Sequence, residues 1–157
     1  MNKEGIKETY YRAYKDLLET HLNEKKYDWI IKLHAEIVTR LCKLVPRRTD
    51  IHDEIAEHLD PVLFRQQLES NTYKGEDLYK LITYVYSWLQ RLCAPSRDDE
   101  IKASLNEVLD SMKTETFGKI VPNFILSVHH HIDRIEEDIR PYKLKFEELQ
   151  KAKSSQK

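Results

Sequence analysis

The sequence predicts an all-α fold, a helical bundle of about six to seven helices, on three observations. Apolar residues recur at helical spacing along nearly the whole chain, which marks one buried face on each segment. Three glycines and five prolines in 157 residues leave few places where a helix must break. Apolar residues at 40% and charged residues at 34% suit a core wrapped in a well-charged surface. At this length one domain is expected, over residues 1–150, followed by a frayed polar tail over 151–157.

Each element follows from its own signals. The first helix is expected to turn Ile6, Tyr10, Ala13, Tyr14, Leu17 and His21 to the core. A second carries Ile30, His34, Ile37, Leu41 and Leu44, and Pro46 ends it. A short third helix in TDIHDEIAEHL is expected to be capped by Thr49 or Asp50. In HLDPVLF, Asp60 suits the N-cap and Pro61 the first helical position, with Leu59 and Phe64 placed as a hydrophobic staple. SNTYKG breaks this helix between Asn71 and Gly75. The strongest stripe follows, through Leu78, Leu81, Ile82, Val85, Tyr86, Leu89, Leu92 and Cys93.

That stripe runs into RLCAPSRDDEI. Pro95 biases Ala94 away from helical geometry, so a helix stops there. Ser96 is the expected N-cap of the next, with Asp99 at the third helical position as in a capping box. Asp98, Asp99 and Glu100 favour the positive end of that helix. Arg97 lies on the unfavourable side of the same dipole, so it is expected to reach a carboxylate elsewhere in the fold. Ile101, Leu105, Val108, Leu109 and Met112 resume the stripe. A last long helix begins near Phe117 or Pro122 and buries Phe124, Ile125, Val128, Ile132 and Ile135, with a break or kink at Pro141.

Chemistry is harder to find. Lys+Arg 26 against Asp+Glu 27 gives a net charge of -1, which offers no broad basic field for nucleic acid. No apolar run reaches membrane-spanning length, and the N-terminal residues lack the apolar segment of a secretory signal. Cys42 and Cys93 stand far apart in no CxxC pair and read as small buried hydrophobes, so a cytoplasmic location is expected. HHH at 129–131 cannot close on one ion, because adjacent helical residues point about 100° apart. One of these histidines is expected to be half-buried and two to face solvent. His34 and His21 fall on apolar faces and read as core residues. No GxSxG, glycine-rich phosphate loop or HExxH occurs, so neither catalysis nor a cofactor is expected. KLVPRR at 43–48 is the one local basic cluster.

The segments YDWIIKLHAEIVTRLCKLVP, IHDEIAEHLDPVLFRQQLE, LCAPSRDDEI, EVLDSMKTETFGKIVPNFI and YKLKFEELQ together resemble the T-complex protein 11 family. The LCAPxRD element, Leu92 to Asp98 here, is the most specific of them. The resemblance covers nearly the whole chain and implies a helical protein without catalytic residues. It also implies a link to cyclic-AMP and protein-kinase-A signalling, and in animals to sperm motility and fertility. Family members continue for a further helical stretch, so this chain is expected to correspond to their N-terminal half.

The expectation is therefore a non-enzymatic interaction or regulatory module that meets a protein partner through Arg47, Arg48, Arg97 and Asp98. Membrane insertion and nucleic acid are not expected, and a homodimer is left open. The alternative is a structural component of a larger assembly, such as a virion or an axoneme.

Overall fold

The computed structural model describes residues 3–155, and for Lys3, Glu4, Ile6, Lys7 and Ser155 the backbone alone. Seven α-helices and one 3-10 turn make up the fold among the described residues: α1 Lys3–Asn23, α2 Asp28–Leu44, α3 Thr49–His58, α4 Pro61–Glu69, α5 Gly75–Leu92, the turn Pro95–Arg97, α6 Asp98–Ser111 and α7 Phe117–Ser155.

The first half of α7 is the axle of the bundle. Phe124, Ile125 and Leu126 are consecutive and all buried, which covers more than half of the helix circumference. A helix apolar on every side must be wrapped by others, and α1, α2, α5 and α6 all pack against it. Two of these run antiparallel to it: Lys15 bonds Asn123 while Asn23 lies against Gly118, and Glu100 and Arg97 reach Arg134 and Asp138. α2 runs parallel, with Leu33 beside His129 and Arg40 beside Asp133 and Glu136. α5 lays Tyr86 against Phe124 and His131, and its hydroxyl shares a 2.8 Å hydrogen bond with Ser104 of α6.

Most stripes pack as the spacing predicts. Ile30, His34, Ile37 and Leu41 of α2 are buried, as are Leu78, Ile82, Val85, Tyr86 and Leu89 of α5, joined by Trp88. Asp60 caps α4 by accepting from the Val62 amide at 2.9 Å, Pro61 takes the first helical position, and Leu59 and Phe64 are both in the core. Asn71, in left-handed geometry at φ 59°, closes α4 while the Thr72 amide donates back to Gln67.

Four expectations are corrected. The inward face of α1 is Tyr14, Leu18 and Leu22; Tyr10 is 74% exposed and Leu17 47% exposed, and the Ile6 side chain lies outside the described residues. Two apolar stripes compete on α1, and the second one meets α7. Neither Thr49 nor Asp50 caps α3: Arg48 holds the N-cap position, both lie in the first turn, and the Asp50 carboxylate is taken by both arms of the Arg48 guanidinium. Ser96 makes no cap either: Pro95 opens a 3-10 turn, and α6 starts only at Asp98. Finally, of the break or kink expected at Pro141, a break does not occur: α7 continues to Ser155. Proline there removes one hydrogen bond from the Glu137 carbonyl, but Pro141 is exposed, so water can satisfy it. Lys151 to Ser154 are helical and exposed.

Candidate interaction surface

Charged residues of α7 are gripped from two sides. Arg40 donates to Asp133, to Glu136 at 3.4 Å, and to His129 Nδ1 at 3.0 Å. Because Nδ1 accepts, His129 carries its proton on Nε2 and donates to the Leu33 carbonyl at 3.1 Å. On the other side Arg97 forks onto both oxygens of Asp138 and adds a longer contact to Glu100. The Arg97 hydrogen bonds hold the Asp138 carboxyl below its ordinary range. The carboxylate expected for Arg97 is thus supplied by α7.

The same contacts account for the LCAPSRD stretch, Ser96 excepted. Leu92 ends α5, Cys93 and Ala94 are extended, Pro95 starts the 3-10 turn, and Arg97 pins that turn to α7. Asp98 opens α6 and pairs with Lys102 at 2.8 Å. Cys93 and Cys42 are half-buried, and burial pushes both thiols above their ordinary pKa, which keeps them protonated at neutral pH.

The four predicted interaction residues fall at two joints. Arg97 and Asp98 lie between α5 and α6, and Arg47 and Arg48 between α2 and α3. Three of them have intramolecular partners: Arg97 with Asp138, Asp98 with Lys102, Arg48 with Asp50. Arg47 instead stands over the Phe146 ring at 5.3 Å. Both joints therefore meet α7, at positions spaced roughly 12 Å along its axis.

An exposed apolar surface lies where Arg47 touches α7. From residue 140 to residue 154 every α7 side chain is exposed; Tyr142 at 77%, Phe146 at 48% and Leu149 at 58% are large hydrophobics on one line, and exposed Leu144 stands on the opposite face. The first three are not scattered. Ile135, Ile139, Tyr142, Phe146 and Leu149 follow a four-three alternation, the spacing of a helix-to-helix seam. Ile135 is 1% exposed and Ile139 packs on the core, so one seam begins inside the bundle and continues outside it. The predicted site left these residues out, although the spacing was readable; the charged residues between them hid it.

A second depression of about 440 Å³ lies between α3–α4 and α5. Its walls are two ring stacks, His34 on Phe64 and His58 on Tyr84, each with centroids at 4.5 Å. Tyr73 meets Phe64 edge-on, then Phe117, so the rings form a ladder that ties α4 to α7. The rings mainly pack against one another. In the histidine run, His131 is buried at 6% exposure, His129 is half-buried and His130 exposed, so two of the three belong to the fold rather than the one expected. No cluster that could hold a metal occurs among the described residues, and no helix there is long and apolar enough to cross a membrane.

A family model described as T-complex protein 11 matches residues 2–137. The chain belongs to the T-complex protein 11 family. The human T-complex protein 11 homolog is 30% identical over 161 residues, an alignment covering 92% of this chain and 30% of that relative. The chain thus spans less than a third of the length of this curated relative. No solved structure matches. The family match includes both joints and the buried half of α7, and it stops at the residue before Asp138. The exposed seam lies beyond it.

Proposed function

We propose that the chain is a non-enzymatic interaction module that presents the outer half of α7 to a protein partner. Its setting is the cyclic-AMP and protein-kinase-A signalling implied by the family resemblance. The observation that carries this reading is the continuity of the seam: Tyr142, Phe146 and Leu149 extend a buried stripe into solvent. An isolated helix of this length is marginal in water, and Pro141 weakens it further. A partner that covers the seam would stabilise it. The two joints fix where the helix leaves the bundle, through Asp138 and Phe146.

Magnitude favours a regulated contact over a permanent one. Burying three such side chains contributes about 5–9 kcal/mol before costs. Association costs about 4–15 kcal/mol, so the seam supports a transient complex unless other surfaces join it. A fixed structural subunit is the alternative, and it requires a stoichiometric assembly that survives dilution.

The test is proximity labelling in the native cell type, comparing the chain with its Phe146→Glu/Leu149→Glu form. A defined set of proteins labelled by the first and lost with the second is expected, and the set should change when cyclic AMP is raised. Identical sets from the two forms would overturn the reading. A set indifferent to cyclic AMP would remove the signalling setting.

A further inference from the structure

We infer that the partner of the α7 seam is an amphipathic helix with acidic residues along both margins of its apolar stripe. This rests on the interaction reading above and adds the chemistry of the partner. Helical spacing places Lys143 on one side of the line through Tyr142, Phe146 and Leu149, and Lys145 on the other. Lys153 continues the line itself, and Arg47 leans over Phe146 from the α2–α3 turn. Four cations thus border or end the seam. Glu147 and Glu148, the only acids in 140–155, turn to the far side of the helix.

None of Lys143, Lys145 and Lys153 has an ion pair among the described residues, whereas Arg40, Arg48, Arg65, Arg97 and Lys102 of the bundle body do. The apolar line is spaced for a helix, and its continuity with the packed stripe at Ile135 and Ile139 extends a helix-to-helix contact already made inside the fold. Margins of one sign choose a partner of the other sign, as flanking charges do in paired helices. A second copy of this chain fits poorly. It would bring the same lysines to the joint with no acid on either margin to meet them. An anionic membrane also fits less well, because Glu147 and Glu148 offset Arg140 and Lys151 on the far face, which is the face that a membrane-surface helix keeps strongly basic.

Two synthetic helical peptides distinguish these cases, with leucine at the seam positions and either glutamate or lysine at the flanking ones. Binding is read by fluorescence anisotropy at low and high salt. The glutamate peptide should bind about tenfold more tightly than the lysine peptide, and salt should shrink the difference. Lys143→Glu/Lys145→Glu should reverse the preference. Phe146→Glu/Leu149→Glu should abolish binding with the thermal unfolding midpoint unchanged, because those side chains lie outside the core. Equal binding of the two peptides, or none, would overturn the inference. So would a mass doubled through the seam in light scattering, or binding to phosphatidylserine vesicles without peptide preference. If the peptides fail while proximity labelling still depends on Phe146 and Leu149, the interaction reading stands and only the partner chemistry falls.

Discussion

Lowering the pH should weaken this fold well before its carboxylates protonate, and His34 shows why. Its side chain is 4% exposed, stacked on Phe64, with Nε2 donating to the Leu59 carbonyl at 2.9 Å. Burial holds its pKa below the ordinary 6.5. The unfolded chain therefore binds a proton that the folded chain refuses. Stability is full above about 6.5 and falls as the pH drops through that value, by up to about 1.4 kcal/mol per pH unit for this one group. Against a total of roughly 5–15 kcal/mol the slope is easily measured. His129 and His131 are lowered by the same cause and add in the same direction. Urea unfolding of the chain and of His34→Gln from about pH 7.5 to about pH 5 gives the two slopes. Glutamine removes the titration, so the His34→Gln slope should be shallower. Equal slopes, or a flat profile for the original chain, would refute the reasoning. Asp138 acts in a separate window, since its stabilisation is lost only as the pH falls below the ordinary carboxylate value.

Three further substitutions sort the packing terms. Phe124→Ala opens the axle at a 1% exposed site and should cost about 3–5 kcal/mol in urea unfolding. Tyr86→Phe removes the hydrogen bond to Ser104 without changing the ring, and about 1 kcal/mol is expected. Asp60→Ala should cost about 1 kcal/mol as a lost cap, whereas Ser96→Ala should stay within about 0.5 kcal/mol because Ser96 caps nothing.

What the sequence shows clearly is what local physics decides. The stripes of α2, α5, α6 and α7 read correctly because each has one dominant apolar face. The α4 start read correctly because Asp60 and Pro61 act within one turn. The misreadings arise where a distant or competing partner wins. Tyr10 and Leu17 compete with Leu18 and Leu22 for the inner face of α1, and only the position of α7 settles the choice. Asp50 makes a plausible cap, but Arg48 holds the N-cap position and takes both its oxygens. Ser96 fails because Pro95 commits the next residues to a 3-10 turn. Among the predicted interaction residues, Arg97 could be read as carboxylate-bound, but only the fold names Asp138. The outer seam of α7 was present as spacing, yet whether a stripe is covered depends on where the neighbouring helices end.

Hydrogen exchange along α7 tests the central claim most directly, that one continuous helix is core in its first half and partner surface in its second. In dilute solution, amides in 124–135 should exchange only with global unfolding, while those in 143–153 exchange near the rate of a fraying helix. Adding the glutamate-flanked peptide should slow the second group and leave the first unchanged. Protection of 143–153 equal to that of 124–135 in the chain alone would contradict the account, because the seam would already be covered.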